Sequence, residues 1–279
     1  MTTTSLIRSL TAAAAVLVAG CDSSSSDTMS GATGTETAGS ETSGSETSGS
    51  DTSSTDTSDG GEGLHPAFAE FDVDNTDIYL DGDEVVLETN GLPNHTSPYW
   101  GSGHELYEEP VEGWEDNATP SLIPGYDGSF TLRVPGDPEI ADTATETPLD
   151  VIGLSVSGAA IFNEQEGMGI LTEGVAAGLD YSGGHIGPSR YHYHTEPKAI
   201  TNDDDTLVGV LTDGFFIYGR KCASTGDYPD DLDAAGGHTS TTQHTDTPEY
   251  HYHIENILFL DSYYIIFDGD FQGSPGTVQ

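Results

Sequence analysis

Positive charge is what this chain has least of. Its 279 residues carry 6 Lys plus Arg against 48 Asp plus Glu, a formal net charge of -42. A field of that sign repels nucleic acid and anionic lipid surfaces and draws cations, metal ions among them. The same surface also keeps a protein soluble in salty water. Cysteine is almost missing, with only Cys21 and Cys222. Also lacking are G-x-S-x-G, a Walker loop, a Rossmann glycine pattern, H-E-x-x-H and C-x-x-C. Those gaps remove positive support for a hydrolase elbow, a nucleotide-dependent enzyme, a helical zinc protease and a dithiol redox centre. The acidic stretches "YLDGDE", "TNDDD" and "FDGDF" lack the full EF-hand spacing. They leave an irregular calcium site as the remaining form. No segment keeps a 3.6-residue apolar period; one short helical candidate runs through "NEQEGMGILTEGVAAGL".

What is present begins with Arg8 and the apolar run "LTAAAAVLVAG", ending at Cys21. This is the plan of a signal peptide, with an apolar stretch too short to span a bilayer comfortably. Val18-Ala19-Gly20-Cys21 resembles the lipobox of bacterial lipoproteins. That resemblance implies removal of residues 1–20, diacylation of Cys21 and attachment to a membrane on the extracytoplasmic side of a bacterial envelope. Cys222 is then left without a partner, as a buried small hydrophobe, a free thiol or a soft metal ligand. From Cys21 to Gly63 the chain is Ser, Thr, Gly and acidic residues, with the five-residue repeat "ETAGS ETSGS ETSGS". Such a composition cannot offset its conformational entropy by burial, so a disordered stalk is expected, averaging roughly 35 Å end to end.

Residues 64–279 read as one mostly β domain, a sandwich or barrel-like sheet. Short apolar runs recur between Gly, Pro, Asn and Asp clusters: "DIYLDGDEVVLET", "GSFTLRVPG", "DVIGLSVSGAAIFN", "TLVGVLTDGFFIYG" and "NILFLDSYYIIFDGDF". Two of them align over Val151–Asn163 and Leu207–Gly219, with Gly153 on Gly209, Gly158 on Gly214 and Phe162 on Tyr218. Downstream, Leu179-Asp180 falls on Leu232-Asp233, Gly183-Gly184-His185 on Gly236-Gly237-His238, and Tyr191–His194 on Tyr250–His253. This is an internal duplication, and two such units can bring equivalent positions together about a pseudo-two-fold axis.

Six of the ten histidines fall in those two sets. On a strand, His192 and His194 share a face roughly 7 Å apart at Cβ, with Tyr191 and Tyr193 on the other. Imidazoles so placed can converge on one ion at about 2 Å. His185 from the Gly-Gly turn completes a three-nitrogen face, and His238, His251 and His253 repeat it, with His244 spare. Asp180 and Asp233 are placed to accept the free N–H of a ligand histidine. Such a donor set suits a transition metal, copper or zinc. A catalytic version leaves a position open for water or substrate. Alternatively the histidines satisfy backbone groups within a sheet, and Trp100, Trp114 and the tyrosines form a surface for a glycan or protein partner. His95 and His104 lie in loops, as extra ligands or surface groups, and His65 at the linker boundary.

The G-G-H turn before Y-H-Y-H, "DGFFIYG" at Asp213–Gly219 and "NGLPNH" at Asn90–His95 together resemble the YHYH-domain proteins, over most of Asn90–His253. The resemblance implies a shared fold and site, and no particular reaction. The first unit departs from the pattern: its "VSGAAIFN" has no counterpart to Asp213. If Asp213 serves a site, the two halves are not equivalent.

Overall fold

Asp81-Gly82-Asp83 turns a hairpin between two alternating runs, β1 (Thr76–Asp81) and β2 (Glu84–Thr89). The computed structural model describes residues 63–120, 122–167, 169–187 and 190–279. The expected signal peptide, Cys21 and all of the linker except Gly63 lie outside the described residues. β3 (Phe130–Pro135) pairs antiparallel with β2 and turns Phe130, Leu132 and Val134 inward at every second position.

The duplicated unit then builds half a sheet. β4 (Gly153–Ser155) and β5 (Ala160–Ile161) come from the "DVIGLSVSGAAIFN" run. The helical candidate resolves into a small hairpin, β6 (Gln165–Glu166) with β7 (Gly169–Ile170), and a single turn, α1 (Glu173–Ala176). Gly167 takes a positive φ of 59° there, and glycine makes that turn inexpensive. β8 (Gly184–Ile186) and β9 (Tyr191–Tyr193) follow. The second unit supplies β10 (Leu207–Leu211), β11 (Phe216–Tyr218), β12 (Gly237–Ser240) and β13 (Glu249–His253). β14 (Thr277–Val278) returns to β3 and completes the four-stranded sheet β1-β2-β3-β14.

The large sheet runs β12-β13-β11-β10-β4-β5-β9-β8. Read from its centre outwards, this order is a palindrome of the two units. β4 and β10 meet antiparallel at the middle. On each side the next strand is antiparallel to them, the YHYH strand pairs parallel with that one, and the GGH strand closes the edge. The duplication is therefore a pseudo-two-fold about β4/β10.

Both faces of this sheet are covered, which is why β10 is buried at every residue. Leu154, Ala160, Val210, Phe216 and Tyr218 pack with Val85, Leu87, Leu132 and Val134 of the small sheet, giving the sandwich-like core. On the opposite face the YHYH tyrosines lie with Tyr99, Trp100, Trp114, Phe267 and Phe271. Trp100 and Trp114 are 7% and 4% exposed, and their indole N–H groups donate to the carbonyls of His95 and Leu179. They are core, so they do not supply the contact surface of the binding-module reading.

The last expected strand, "NILFLDSYYIIFDGDF", forms no strand. It makes single bridges at Phe259–Tyr263, Thr195–Ile265 and Thr145–Phe271, with Leu260 and Asp261 at positive φ. Arg220, just past β11, donates to Glu196, just past β9, at 2.9 Å and lies 3.9 Å over the Tyr264 ring. One of the chain's few cations thus fastens the two units to each other. Among the described residues no helix is long and apolar enough to cross a membrane.

Candidate metal centres

Each GGH turn is set by its own aspartate. Asp180 Oδ1 accepts from the backbone N–H of Ser182 and Gly184 at 2.9 and 3.2 Å, and Asp233 Oδ1 from Ala235 and Gly237 at 2.8 and 3.1 Å. Their second oxygens accept from the first YHYH tyrosines, Tyr191 at 2.6 Å and Tyr250 at 2.8 Å. These aspartates shape the turn and hold a tyrosine. They do not bond a histidine ring, contrary to the sequence expectation. Asp213 likewise accepts from Tyr252 at 2.6 Å, and at its equivalent position Ser157 meets Tyr193 at 2.9 Å. The missing Asp of the first unit is replaced by a hydroxyl with the same task, helped by His95 at 2.6 Å from Tyr193.

The turn delivers its histidine directly across from the YHYH strand: His185 pairs with His192, and His238 with His251. In the first unit the Nε2 atoms of His185 and His192, and of His192 and His194, lie 3.0 Å apart. Glu166, on β6, closes the group with an oxygen 3.1, 3.5 and 3.9 Å from His194, His185 and His192. In the second unit His238, His251 and His253 gather with Cys222, whose sulfur is 3.5 Å from His238 Nε2. Within each group the four donor atoms lie inside 4.8 Å of one another. For N or O ligands at about 2.0–2.1 Å, tetrahedral geometry sets donor-to-donor edges of about 3.4 Å; one thiolate at about 2.3 Å lengthens its edges to about 3.5 Å. Both cages are of ion-holding size.

The far sides of the rings decide their protonation. Nδ1 of His192 donates to Arg190 O at 3.1 Å, His194 to Asn163 O at 2.7 Å, His251 to Glu249 O at 3.0 Å and His253 to Gly219 O at 2.7 Å. Nδ1 of His238 faces the Asp231 carboxylate at 2.7 Å. A carbonyl or carboxylate oxygen can only accept, so each Nδ1 carries hydrogen and each neutral ring presents a bare lone pair at Nε2. In His192 and His194 two such lone pairs face each other at 3.0 Å. One proton on either ring would give an N–H···N bond at the cost of a buried charge, and protonating both would set two N–H groups face to face. Burial also opposes charging, pushing the His192 pKa down to about 3 and that of His251 below its ordinary value. His253 Nε2 is buried with no hydrogen-bond partner. One cation in each cage would satisfy the Nε2 atoms of that cage.

The outer partners are thus four backbone carbonyls and Asp231, none of which the sequence reading chose. Glu166 was also missed, and Cys222 stood only among three alternatives. The alignment that pairs Phe162 with Tyr218 puts Glu166 on Cys222, so extending it three residues past Asn163 and Gly219 exposes both. A proton on His185, His192 or His194 would bond to Glu166, and that proximity holds its acid well below the usual carboxylate range.

The two centres are not brought together. β9 and β13 are five strand spacings apart in the large sheet, roughly 24 Å. The expectation that the pseudo-two-fold gathers equivalent positions is corrected to two separate centres at opposite ends of one sheet. The other histidines stay out of both cages. His104 stacks on Trp100, His65 pairs with Glu249, and His244 meets Tyr218.

The centres differ in access. Cys222, His238, His251 and His253 are all buried, whereas Glu166 and His185 are partly exposed. A cleft of about 230 Å³ adjoins the Glu166 centre, lined by Phe162, Glu166, Gly187, Arg190 and His192 among others.

No curated protein and no solved structure matches the chain. The family model described as YHYH protein matches residues 131–230, which hold the first centre whole and Cys222 of the second. The cages and the paired turns lie on and just beyond that match: over residues 131–230 the chain is similar to the YHYH protein family.

Proposed function

We propose that this protein binds transition-metal ions, one at each histidine centre, on the extracytoplasmic side of a bacterial envelope to which diacylated Cys21 anchors it. The observation that carries the metal reading is the pair of Nε2 lone pairs, 3.0 Å apart in His192 and His194, whose rings are locked by carbonyls on their far sides. Burying two acceptors face to face costs free energy that a shared cation reverses. Copper and zinc both suit the donors. The anchoring reading is supported by Val18-Ala19-Gly20-Cys21 after a short apolar run.

Metal analysis of the full chain, purified without a histidine tag or chelator, tests the binding. About two equivalents are expected, one remaining when His192 and His194 become Ala and none when His251 and His253 are replaced as well. A full chain that takes up no Cu(II) or Zn(II) after equilibration rejects the proposal.

A second reading, a metalloenzyme, is favoured by the cleft beside Glu166. Its 230 Å³ has room for several waters at about 30 Å³ each, or for a small substrate. There the metal would supply Lewis-acid polarisation or an activated water. Glu166 and His192 line both cage and cleft, so a molecule in the cleft lies next to the ion.

A further inference from the structure

We infer that the two centres, although copies of one unit, hold ions of different class: a thiophilic ion closed in by Cys222, His238, His251 and His253, and a harder divalent ion at Glu166, His185, His192 and His194, facing the cleft. This rests on the metal-binding reading and adds to it the selectivity of each centre.

Three bonds that frame the first cage recur around the second. His194 Nδ1 donates to Asn163 O and His253 Nδ1 to Gly219 O, both at 2.7 Å, and residues 163 and 219 are equivalent. Asp180 N donates to Gly184 O and Asp233 N to Gly237 O, both at 2.8 Å. His194 N donates to Gly183 O at 3.1 Å and His253 N to Gly236 O at 2.9 Å. Three residues past Asn163 and Gly219 stand Glu166 and Cys222. Within this shared frame the fourth donor alone changes in type, from carboxylate oxygen to sulfur.

That change is the one to which ion choice responds most. Thiolate selects Cu(I) and Zn(II), whereas a carboxylate beside imidazoles favours harder or borderline divalent ions. The surroundings follow the donor. Cys222 is 1% exposed, and its sulfur lies 3.1 and 3.2 Å from the hydroxyls of Ser224 and Ser240, groups that can donate to a thiolate. The first unit instead places Glu166 in the wall of the cleft. His253 Nε2, 2% exposed at residue level and unpartnered, is the independent sign that the sulfur centre awaits an ion. Without one, this nitrogen accepts no hydrogen bond.

Co(II) titration of the full chain, stripped of metal and kept reduced and anaerobic, reads the sulfur directly through the thiolate-to-Co(II) charge-transfer band in the near ultraviolet. The band should grow over one of two equivalents in the wild type, vanish in Cys222→Ser while one equivalent still binds, and grow over both in Glu166→Cys. In competition with a Cu(I) chelator, Cys222→Ser should weaken the tightest Cu(I) equivalent by at least ~100-fold, and Glu166→Gln should leave it unchanged. Two bound Co(II) ions with no thiolate band, or unchanged Cu(I) affinity in Cys222→Ser, overturn the inference and leave metal binding standing. Failure to bind Co(II), Zn(II) or Cu(I) at all overturns both. Should Cys222→Ser not fold, Glu166→Cys still decides: a band confined to one equivalent would refute the equivalence of the two positions.

Discussion

Along each Y-H-Y-H strand the two residue types have separate duties. Histidines turn to the cage, and tyrosines turn to the core, where their hydroxyls serve buried acceptors. Asp180 shows what this is worth. Burial raises its pKa, and the coulombic pull of His95 and hydrogen bonds from Ser97, Tyr191 and Gly184 work against that. Tyr191→Phe removes one donor at 2.6 Å and leaves Ser97 with the backbone N–H groups of Ser182 and Gly184. The expected cost is ~1–3 kcal/mol, the range for losing a partner of a buried charged group. Denaturant unfolding should show that loss while metal content stays at the wild-type value. His192→Ala should do the opposite to metal content, emptying the first centre. If Tyr191→Phe also released metal, the tyrosine row would belong to the centre and the division of duties would fail.

At the scale of elements, the two glycines of each GGH turn have different tasks. Gly183 and Gly236 hold φ of 74° and 76°. A Cβ on Gly183 would also meet Thr195, and one on Gly237 would meet the Tyr250 ring. Gly183→Ala should therefore cost ~1–3 kcal/mol and displace His185, two residues on, halving metal content to the one ion of the second centre. Loss of both ions would instead mean that the units fold as one cooperative block. The duplication, the six histidines and the mostly β character were legible because short apolar runs and repeated letters record them directly. Three things were not. Glu166 sat in a stretch whose spacing resembled a helical turn, and the hairpin that carries it depends on tertiary pairing. Asp180 and Asp233 were given to ring N–H groups, although backbone carbonyls, which no residue letter reports, already filled that role. The last apolar run reads as a strand, but its residues cross the strand ends through single bridges and find no sheet edge to extend.

Taken as a whole, the molecule sets two electrostatic effects against each other as pH falls. Its net charge of -42 counts the whole chain, and protonating exposed carboxylates relieves that self-repulsion, which favours the compact state. The buried histidines act with the other sign. His192 has an unfolded pKa near the ordinary 6.5 and a folded value lowered to about 3 by burial, so between those limits the unfolded chain takes up the proton first. The stability that depends on neutral His192 is complete above pH ~6.5 and is lost progressively towards pH 3. His251, lowered by burial in the same direction, adds to the loss. Salt separates the two effects. At ~1 M the Debye length is about 3 Å, so surface repulsion is muted while the buried rings feel little screening. In high salt the chelator-treated chain should lose thermal stability between pH 7 and 5. The metal-loaded chain should begin higher, by RT ln(1 + [L]/Kd) at each centre, and fall more steeply, because protons compete with the ion for the same Nε2 atoms. Following released metal with an indicator dye alongside the melting temperature checks this. The reading predicts that the two curves converge where the ions leave. Parallel curves with no release down to pH 5 would mean that the bound ions do not sit on the histidine nitrogens.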